Sequence, residues 1–191
     1  QTFYKKKSLK LRKDFFRLIL DGCKFHIGGT LSCLDILTVL FYEEIINFHN
    51  KKNIFILSKG HALGAFFAIL LDKKIISKKK FLNLNSLNKL GNQLDVFNLK
   101  HVDWSTGSLG HALGVAIGLA IANPKKKMWV IVGDGEMDEG SIWEAILFIS
   151  KKKIKNINLI IDKNNISASS YMEDQNWYKK KLLKKLDINY F

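Results

Sequence analysis

Three residues in the second half of the chain have the types and spacing to hold a metal and a phosphate group. Asp134 and Gly135 follow the apolar run Met128 to Val132, and Asn164 follows a second one, Asn158 to Ile161. Short β-branched runs closed by glycine or an acid are read as buried parallel strands. Between them, Ile142 to Ile149 carries apolar residues at helical spacing, so the unit is strand, helix, strand. Ligands of such units lie outside the carboxyl ends of the strands, where Asp134 and Asn164 fall thirty residues apart. A carboxylate oxygen and an amide oxygen side by side suit a hard cation such as Mg2+. Gly135 has no Cβ to keep its backbone N–H away from a phosphate on that cation. The stretch is read as a Mg2+–diphosphate site.

Two other readings of the stretch compete. Asp-Gly after an apolar run also marks a hairpin, but the residues that follow are acidic and helical in period. The acidic run also has the look of a calcium loop. That fails, because Glu139 stands where the sharp turn needs glycine and Ala145 where the bidentate Glu belongs.

The elements that must position these residues are legible along the chain. Leu9 to Leu20 has helical periodicity and Gly22 ends it. Residues 24–32 form a loop with two glycines and His26, opening a helix that is expected to run through Ile46. Ile54 to Leu57 is a strand closed by Ser58-Lys59-Gly60-His61-Ala62 and followed by another apolar helix. Ser77 is placed to cap a short helix to about Leu84, and residues 88–106 are irregular. Thr106 to His111 then leads into a helix ending near Ala122, before Pro124, the only proline. Gly110, Gly114, Gly118 and Ala122 recur every fourth residue, a pattern expected to pack tightly inside the domain or at a subunit interface. From Asn176 a Lys-rich helix leads into Ile188 to Phe191, the start of a strand. Strand and helix alternate, so the fold class is α/β, a parallel sheet flanked by helices, in a single domain over residues 1–191 that stops in mid-fold at the C-terminus.

Composition narrows the partners. Basic side chains number 31 against 17 acidic, a net charge of +14, yet Arg12 and Arg17 are the only arginines. Nucleic-acid readers use arginine's bidentate fork and interleaved aromatics. Here lysines come in short runs between apolar segments, as solvated loop ends do, so nucleic-acid binding is disfavoured. Cys23 and Cys33 have neither CxxC spacing nor a histidine at metal spacing, and are read as two buried thiols in a cytoplasmic protein. The basic start carries no small-residue cleavage site. The longest apolar run, Ala62 to Leu71, is too short to cross a bilayer.

With these residues in view, a resemblance is apparent. Gly133-Asp134-Gly135, followed by Asn164-Asn165, resembles the thiamine-diphosphate signature. The full string from Gly133 to Ala145, Gly-Asp-Gly-Glu-Met-Asp-Glu-Gly-Ser-Ile-Trp-Glu-Ala, resembles transketolases, and most of all the stand-alone N-terminal subunits of split transketolases. The resemblance covers nearly all the chain and implies a thiamine-diphosphate-binding fold of the pyrophosphate-domain type. It implies that Asp134 and Asn164 hold Mg2+ by their side chains, Ile166 by its carbonyl, and that Gly135 and Asn164 also meet the cofactor. His61 opens a helix at a strand end, where a ring N–H could donate to a diphosphate. A histidine so placed is more often a packed or capping residue, but the family's Ser-x-Gly-His-Ala motif makes it a diphosphate contact. Thr106 to Gly110 is similar to the family's Thr-Gly-x-Leu-Gly, so Gly107 and Leu109 are expected along the thiamine. His111, where many relatives have Gln, is given a helix-start or interface role.

The same resemblance assigns catalysis. His26 matches a substrate-facing histidine, although Phe25 and Ile27 replace the family's glycine and proline, and it is expected to carry a proton or anchor a hydroxyl. Glu139 matches an acid that lies near its symmetry mate at the subunit interface; by position alone it is a first-turn acid favoured at a helix N-terminus. Many relatives have His-Pro-Asp or His-Pro-Glu where this chain has Gln93-Leu94-Asp95. Gln93 can bond a sugar hydroxyl but cannot become cationic, and His101 is the other candidate for the role. The implied reaction is transfer of a two-carbon ketol unit from a ketose to an aldose, on sugar phosphates of the pentose phosphate type. The implied cofactors are thiamine diphosphate and Mg2+. A C-terminal subunit with the pyrimidine-binding domain would supply the cofactor-activating glutamate, in a heterotetramer. The alternatives are another thiamine-diphosphate enzyme, such as one like deoxyxylulose-phosphate synthase, suggested by Asp95-Val96-Phe97-Asn98, and a cofactor-free scaffold.

Overall fold

Apolar side chains at helical spacing in the first eighty residues must be covered, and they cover one another. The computed structural model describes residues 2–50, 52–86, 95, 101–167, 170–171 and 176–186. Two units are distinguished by their packing, Gln1–Lys51 with Gly60–Gly107 and Lys52–Lys59 with Ser108–Phe191. The first unit is helical: α1 (Thr2–Leu20), α2 (Ile27–Tyr42), α3 (Leu63–Asp72) and α4 (Lys78–Ser86). α1 buries Leu11, Phe15 and Leu18. Gly22, at φ +86°, ends it in the left-handed conformation that glycine adopts without penalty. α3 is apolar all round and buried from Leu63 to Leu70, as a helix with neighbours on every side must be. Ser77 accepts the N–H of Lys80 at 3.2 Å and caps α4, as its position suggested.

The region 24–46 differs from its expected form at both ends. α2 begins at Ile27, so Gly28 and Gly29 lie in its first turn and not in a loop. The His61 ring lies where a Cβ on residue 29 would stand, 2.6 Å from that atom, so the glycine permits close approach. α2 stops at Tyr42 and does not reach Ile46, because Glu44 turns left-handed at φ 55° and the Ile46 N–H returns to the Leu40 carbonyl at 3.0 Å.

Asp72 ties the first three helices together. It accepts from Lys7 of α1 at 2.9 Å, and also from Lys10 of α1 and Tyr42 of α2. Burial pushes the Asp72 carboxyl up, but the hydrogen bonds from Lys10, Tyr42 and Lys7 outweigh it and hold the group down at about 2. Burial, then the bond to Asp72, pushes the Tyr42 phenol up.

The second unit holds the sheet. Parallel strands are covered on both faces, which is why each run is apolar throughout. β1 (Asn53–Leu57), β2 (Lys127–Gly133) and β3 (Ile157–Asp162) lie in the order β1-β2-β3, with both pairs parallel. The register sets Leu57 beside Ile131 and Gly133 beside Asp162, so all three strands point their carboxyl ends the same way. α5 (Ala112–Ala122) and α6 (Gly140–Lys152) pack with this sheet through Leu113, Ala116, Ile142, Ala145 and Ile146 onto Val130 and Val132. A short antiparallel pair, β4 (Ile166–Ser167) with β5 (Ser170–Tyr171), precedes α7 (Asn176–Lys185).

Of the two places expected for the glycine repeat of α5, packing inside the domain does not hold for Gly114 and Gly118. Gly110, at φ +83°, lies outside the helix, and nothing stands within 4 Å of a Cβ placed on Gly114 or Gly118. The helix turns its alanine and leucine face to the core instead, since larger apolar side chains gain more from burial than glycine. Ile188 to Phe191 lie outside the described residues. Cys23 and Cys33 are buried and form no disulfide. Among the described residues no helix is long and apolar enough to cross a membrane.

The Asp72 cluster generates an acid-stability prediction. A carboxyl held below its unfolded value of 3.8 adds stability that is complete above that value and lost as pH falls towards about 2. The melting temperature of the wild type should exceed that of Asp72→Asn near pH 6, and the gap should close between pH 4 and pH 2. A gap that stays constant over that range would remove the ionised Asp72 as its cause.

Candidate functional site

At the carboxyl ends of the three strands the chain turns polar at once, and four charged side chains of the second unit are buried there. β1 runs into Ser58 and Lys59, β2 into Asp134 and the 3-10 turn Gly135–Asp138, and β3 ends on Asp162. Lys59 and Asp162 form an ion pair with side chains only 3% and 5% exposed. A pair so placed is costly to break, because the surviving partner is left buried and uncompensated. The Asp162 carbonyl also receives the Asp134 N–H at 3.1 Å, which fixes where the chain leaves β2.

Asp134 is 2% exposed. One carboxylate oxygen accepts the Gly135 N–H at 3.0 Å and the other the Asn165 N–H at 2.6 Å. Asn165 is held left-handed at φ 59°, the turn that brings the loop after β3 back to Asp134. Among the described residues no ammonium or guanidinium pairs with Asp134. A buried carboxylate in that position suits a cation. Asn164 Oδ1 accepts the Ile166 N–H at 2.9 Å in an Asx turn. An amide oxygen carries two lone pairs, so it can accept this bond and still bind a metal. Among the described residues no three His, Cys, Asp or Glu side chains gather as a metal cage. A cation here would therefore draw on one carboxylate together with amide and carbonyl oxygens, the donor set of a hard ion that keeps waters and phosphate oxygens. The residues fit Mg2+ on a diphosphate.

The remaining expected residues have definite places. Ile166 opens β4 opposite Tyr171, with its side chain exposed. A Cβ on Gly135 would meet the Ser167 hydroxyl at 2.9 Å, so glycine is required by the chain that returns over it. Glu139 begins α6 with an extended backbone and makes no side-chain cap bond. Leu109 is 40% exposed, and the His111 ring contacts the Leu109 carbonyl at 3.2 Å just before α5. In the first unit, His26 stands at the N-cap position of α2 without a side-chain cap bond, and its ring meets that of His61 edge-on with centroids 5.8 Å apart. Gly107 is exposed and follows Thr106, against which Gly60 is closely packed. His101 packs edge-on against Phe48 at 5.6 Å. Gln93 lies outside the described residues.

One buried side chain escaped the sequence reading. Glu136, 2% exposed, turns inward from the acidic run. It accepts the Ser58 hydroxyl, the Gly110 N–H at 2.8 Å and the Gly133 N–H at 3.2 Å. Nothing local distinguishes it from Asp138 and Glu139, which stay exposed. The Lys59–Asp162 pair was also missed. Its only signal is an acid closing the apolar run of β3, which must find a cation or hydrogen-bond donors if buried.

Comparison with known proteins identifies the family and the fold. Residues 90–189 match the family model described as thiamine pyrophosphate enzyme, C-terminal TPP binding domain. The chain belongs to the thiamine pyrophosphate enzyme family. It is 32% identical over 176 residues to one subunit of the apulose-4-phosphate transketolase of Phocaeicola vulgatus, across 87% of this chain and 63% of that protein. It is 32% identical over 164 residues to the 6-deoxy-6-sulfo-D-fructose transketolase subunit SqwG of a Clostridium species, across 79% of this chain and 58% of that one. It spans about three fifths of the length of these two relatives. A crystal structure of transketolase from Campylobacter jejuni shares the fold, with a TM-score of 0.81 at 23% identity over 96% of this chain and 32% of that one. The parallel sheet flanked by helices is thus the thiamine-diphosphate-binding fold that the sequence implied.

The buried ion pair can be tested by itself. Lys59→Met should cost about 3–5 kcal/mol in urea unfolding, because Asp162 is left buried without its cation. Adding Asp162→Leu should recover most of that loss. If the double variant is no more stable than the single one, charge pairing is not what Lys59 contributes.

Proposed function

We propose that this chain is the N-terminal subunit of a two-subunit transketolase that binds thiamine diphosphate with Mg2+ and transfers a two-carbon ketol unit from a ketose to an aldose phosphate. The observation that carries the reading is Asp134, a buried carboxylate at the end of a parallel strand, without a cationic side chain among the described residues. Asp134 and Asn164 hold Mg2+ by side-chain oxygens and Ile166 by its carbonyl. His61 donates to the diphosphate, with Gly135 and Asn164 beside it, and Gly107 and Leu109 lie along the thiamine. Bound thiamine diphosphate supplies the nucleophilic carbon and the electron sink that ketol transfer needs. His26 anchors a substrate hydroxyl or carries its proton. Gln93 bonds a sugar hydroxyl, and Glu139 serves at the interface with the next subunit.

The whole chain acts as one pyrophosphate-binding domain. Its partner is a C-terminal subunit with a pyrimidine-binding domain, in a cytoplasmic heterotetramer. Support for a partner comes from the two relatives described above, both of which carry the word subunit in their names.

Mg2+ and thiamine diphosphate together, at about a hundred times their Kd, should raise the melting temperature of the assembled enzyme by roughly 5–10 °C. Asp134→Ala should abolish the shift, and an unchanged shift would remove Asp134 from the metal site. Ketol transfer should require mixing this chain with its partner. Equal rates with and without the partner would overturn the two-subunit reading.

The two histidines should separate in kinetics. His61→Ala should chiefly weaken the cofactor. His26→Ala should slow turnover by roughly 10²–10⁴-fold if it moves a proton, with cofactor affinity nearly intact. Equal loss of cofactor in both variants would refute the division.

A further inference from the structure

The turn at Leu109–Gly110 is fastened on both of its backbone groups by side chains from the Gly133–Ala145 run. The Gly110 N–H donates to Glu136 Oε1 at 2.8 Å, and the Gly110 carbonyl accepts from the Ser141 hydroxyl at 3.1 Å. Gly110 is left-handed at φ +83°, and a Cβ on it would run into the Ser141 hydroxyl and stand 3.0 Å from Glu139 Cβ. Glu136 Oε1 also receives the Ser58 hydroxyl, and Oε2 the Gly133 N–H at 3.2 Å. A single carboxylate thus joins the end of β1, the end of β2 and the turn that precedes α5.

We propose that Glu136 is a positioning residue for the thiamine end of the cofactor, setting where the Leu109–Gly110 turn stands relative to the strand ends. The inference rests on the assignment of Leu109 to the thiamine, made above. A carboxylate suits the task because its two oxygens only accept, and here they meet three donors from three segments. An amide in its place turns an NH2 towards one of those donors, and alanine leaves buried donors unsatisfied. The Asp134 carboxylate is held separately, by the Gly135 and Asn165 N–H groups, so the metal half of the site does not depend on Glu136.

Two ligands separate the halves. Mg2+–thiamine diphosphate uses both, whereas Mg2+–diphosphate, lacking the thiamine, uses only the metal half. Titration calorimetry of the assembled enzyme should show Glu136→Ala binding Mg2+–thiamine diphosphate at least tenfold more weakly than wild type, the order expected for losing a bond to a charged group. Its affinity for Mg2+–diphosphate should stay within about twofold. Glu136→Gln, which can keep the Gly110 bond while losing the Gly133 bond, should fall between wild type and alanine, and serves as the test if the alanine variant does not fold. In hydrogen exchange, Glu136→Ala should speed exchange in the peptide around Gly110, whereas Glu136→Gln, which keeps that bond, should speed it chiefly at Gly133, with the other β2 and β3 amides protected in both. Undiminished thiamine diphosphate binding in both variants, or equal loss of both ligands, would overturn the proposal. Wild type that binds Mg2+–diphosphate but gains nothing from the thiamine would instead refute the Leu109 assignment, and the inference with it.

Discussion

Charge buried at the carboxyl ends of the parallel strands is the constraint on which the second unit depends. Asp134, Glu136 and Asp162 are each nearly inaccessible, and Lys59 is the only buried cation among the described residues. Carboxylates removed from water must be matched by cations or donors, and three different matches are used. Asp162 takes the lysine, Glu136 takes neutral donors from three segments, and Asp134 takes two backbone N–H groups. Asp134, with two donors against three for Glu136 and no cationic side chain among the described residues, gains most from a further positive charge. The apolar sheet and its helices make this consequential, because the same carboxylates in water would contribute little.

That arrangement lets the Gly133–Ala145 run tie several segments together. Its first acid, Asp134, accepts from the loop after β3, and its second, Glu136, clamps the turn before α5. Its serine, Ser141, holds the Gly110 carbonyl, and Trp143 donates its indole N–H to the Met137 carbonyl at 2.8 Å, closing the 3-10 turn on α6. Successive residues therefore reach different neighbours within one turn of backbone. A substitution in the run is expected to shift folding and ligand affinity together unless the variant separates the two.

The first unit follows a different logic. Its core mixes leucines with aromatic rings, among which Phe25, Phe67 and Phe81 lie with centroids 5.0 to 6.4 Å apart. Asp72, which accepts from three side chains, lies at a helix junction and bonds to neither His26 nor His61 in the contacts that hold it. The two histidines meet because α2 begins with glycines, which admit the His61 ring. Rigid packing beneath and small residues at the contact hold polar side chains in fixed positions on a helical support.

The sequence by itself determined the three strands of the parallel sheet, most of the helices and the aspartate that follows β2. Each of these is local: a buried parallel strand must be apolar along its length, a helix must repeat its apolar face, and Asp134 directly follows such a strand. Ser77 as a cap and Gly22 as a stop were legible for the same reason. Tertiary structure alone decided which member of the acidic run turns inward. Glu136 is buried because Ser58 and Gly110, distant in sequence, bring donors to it, whereas Asp138 and Glu139 stay in water. It also decided that Lys59, one lysine among many, is paired with Asp162, and that the glycines of α5 face outward while its alanines pack. Periodicity records what a segment must do with its own apolar surface; which polar group is desolvated depends on the partners that the fold delivers.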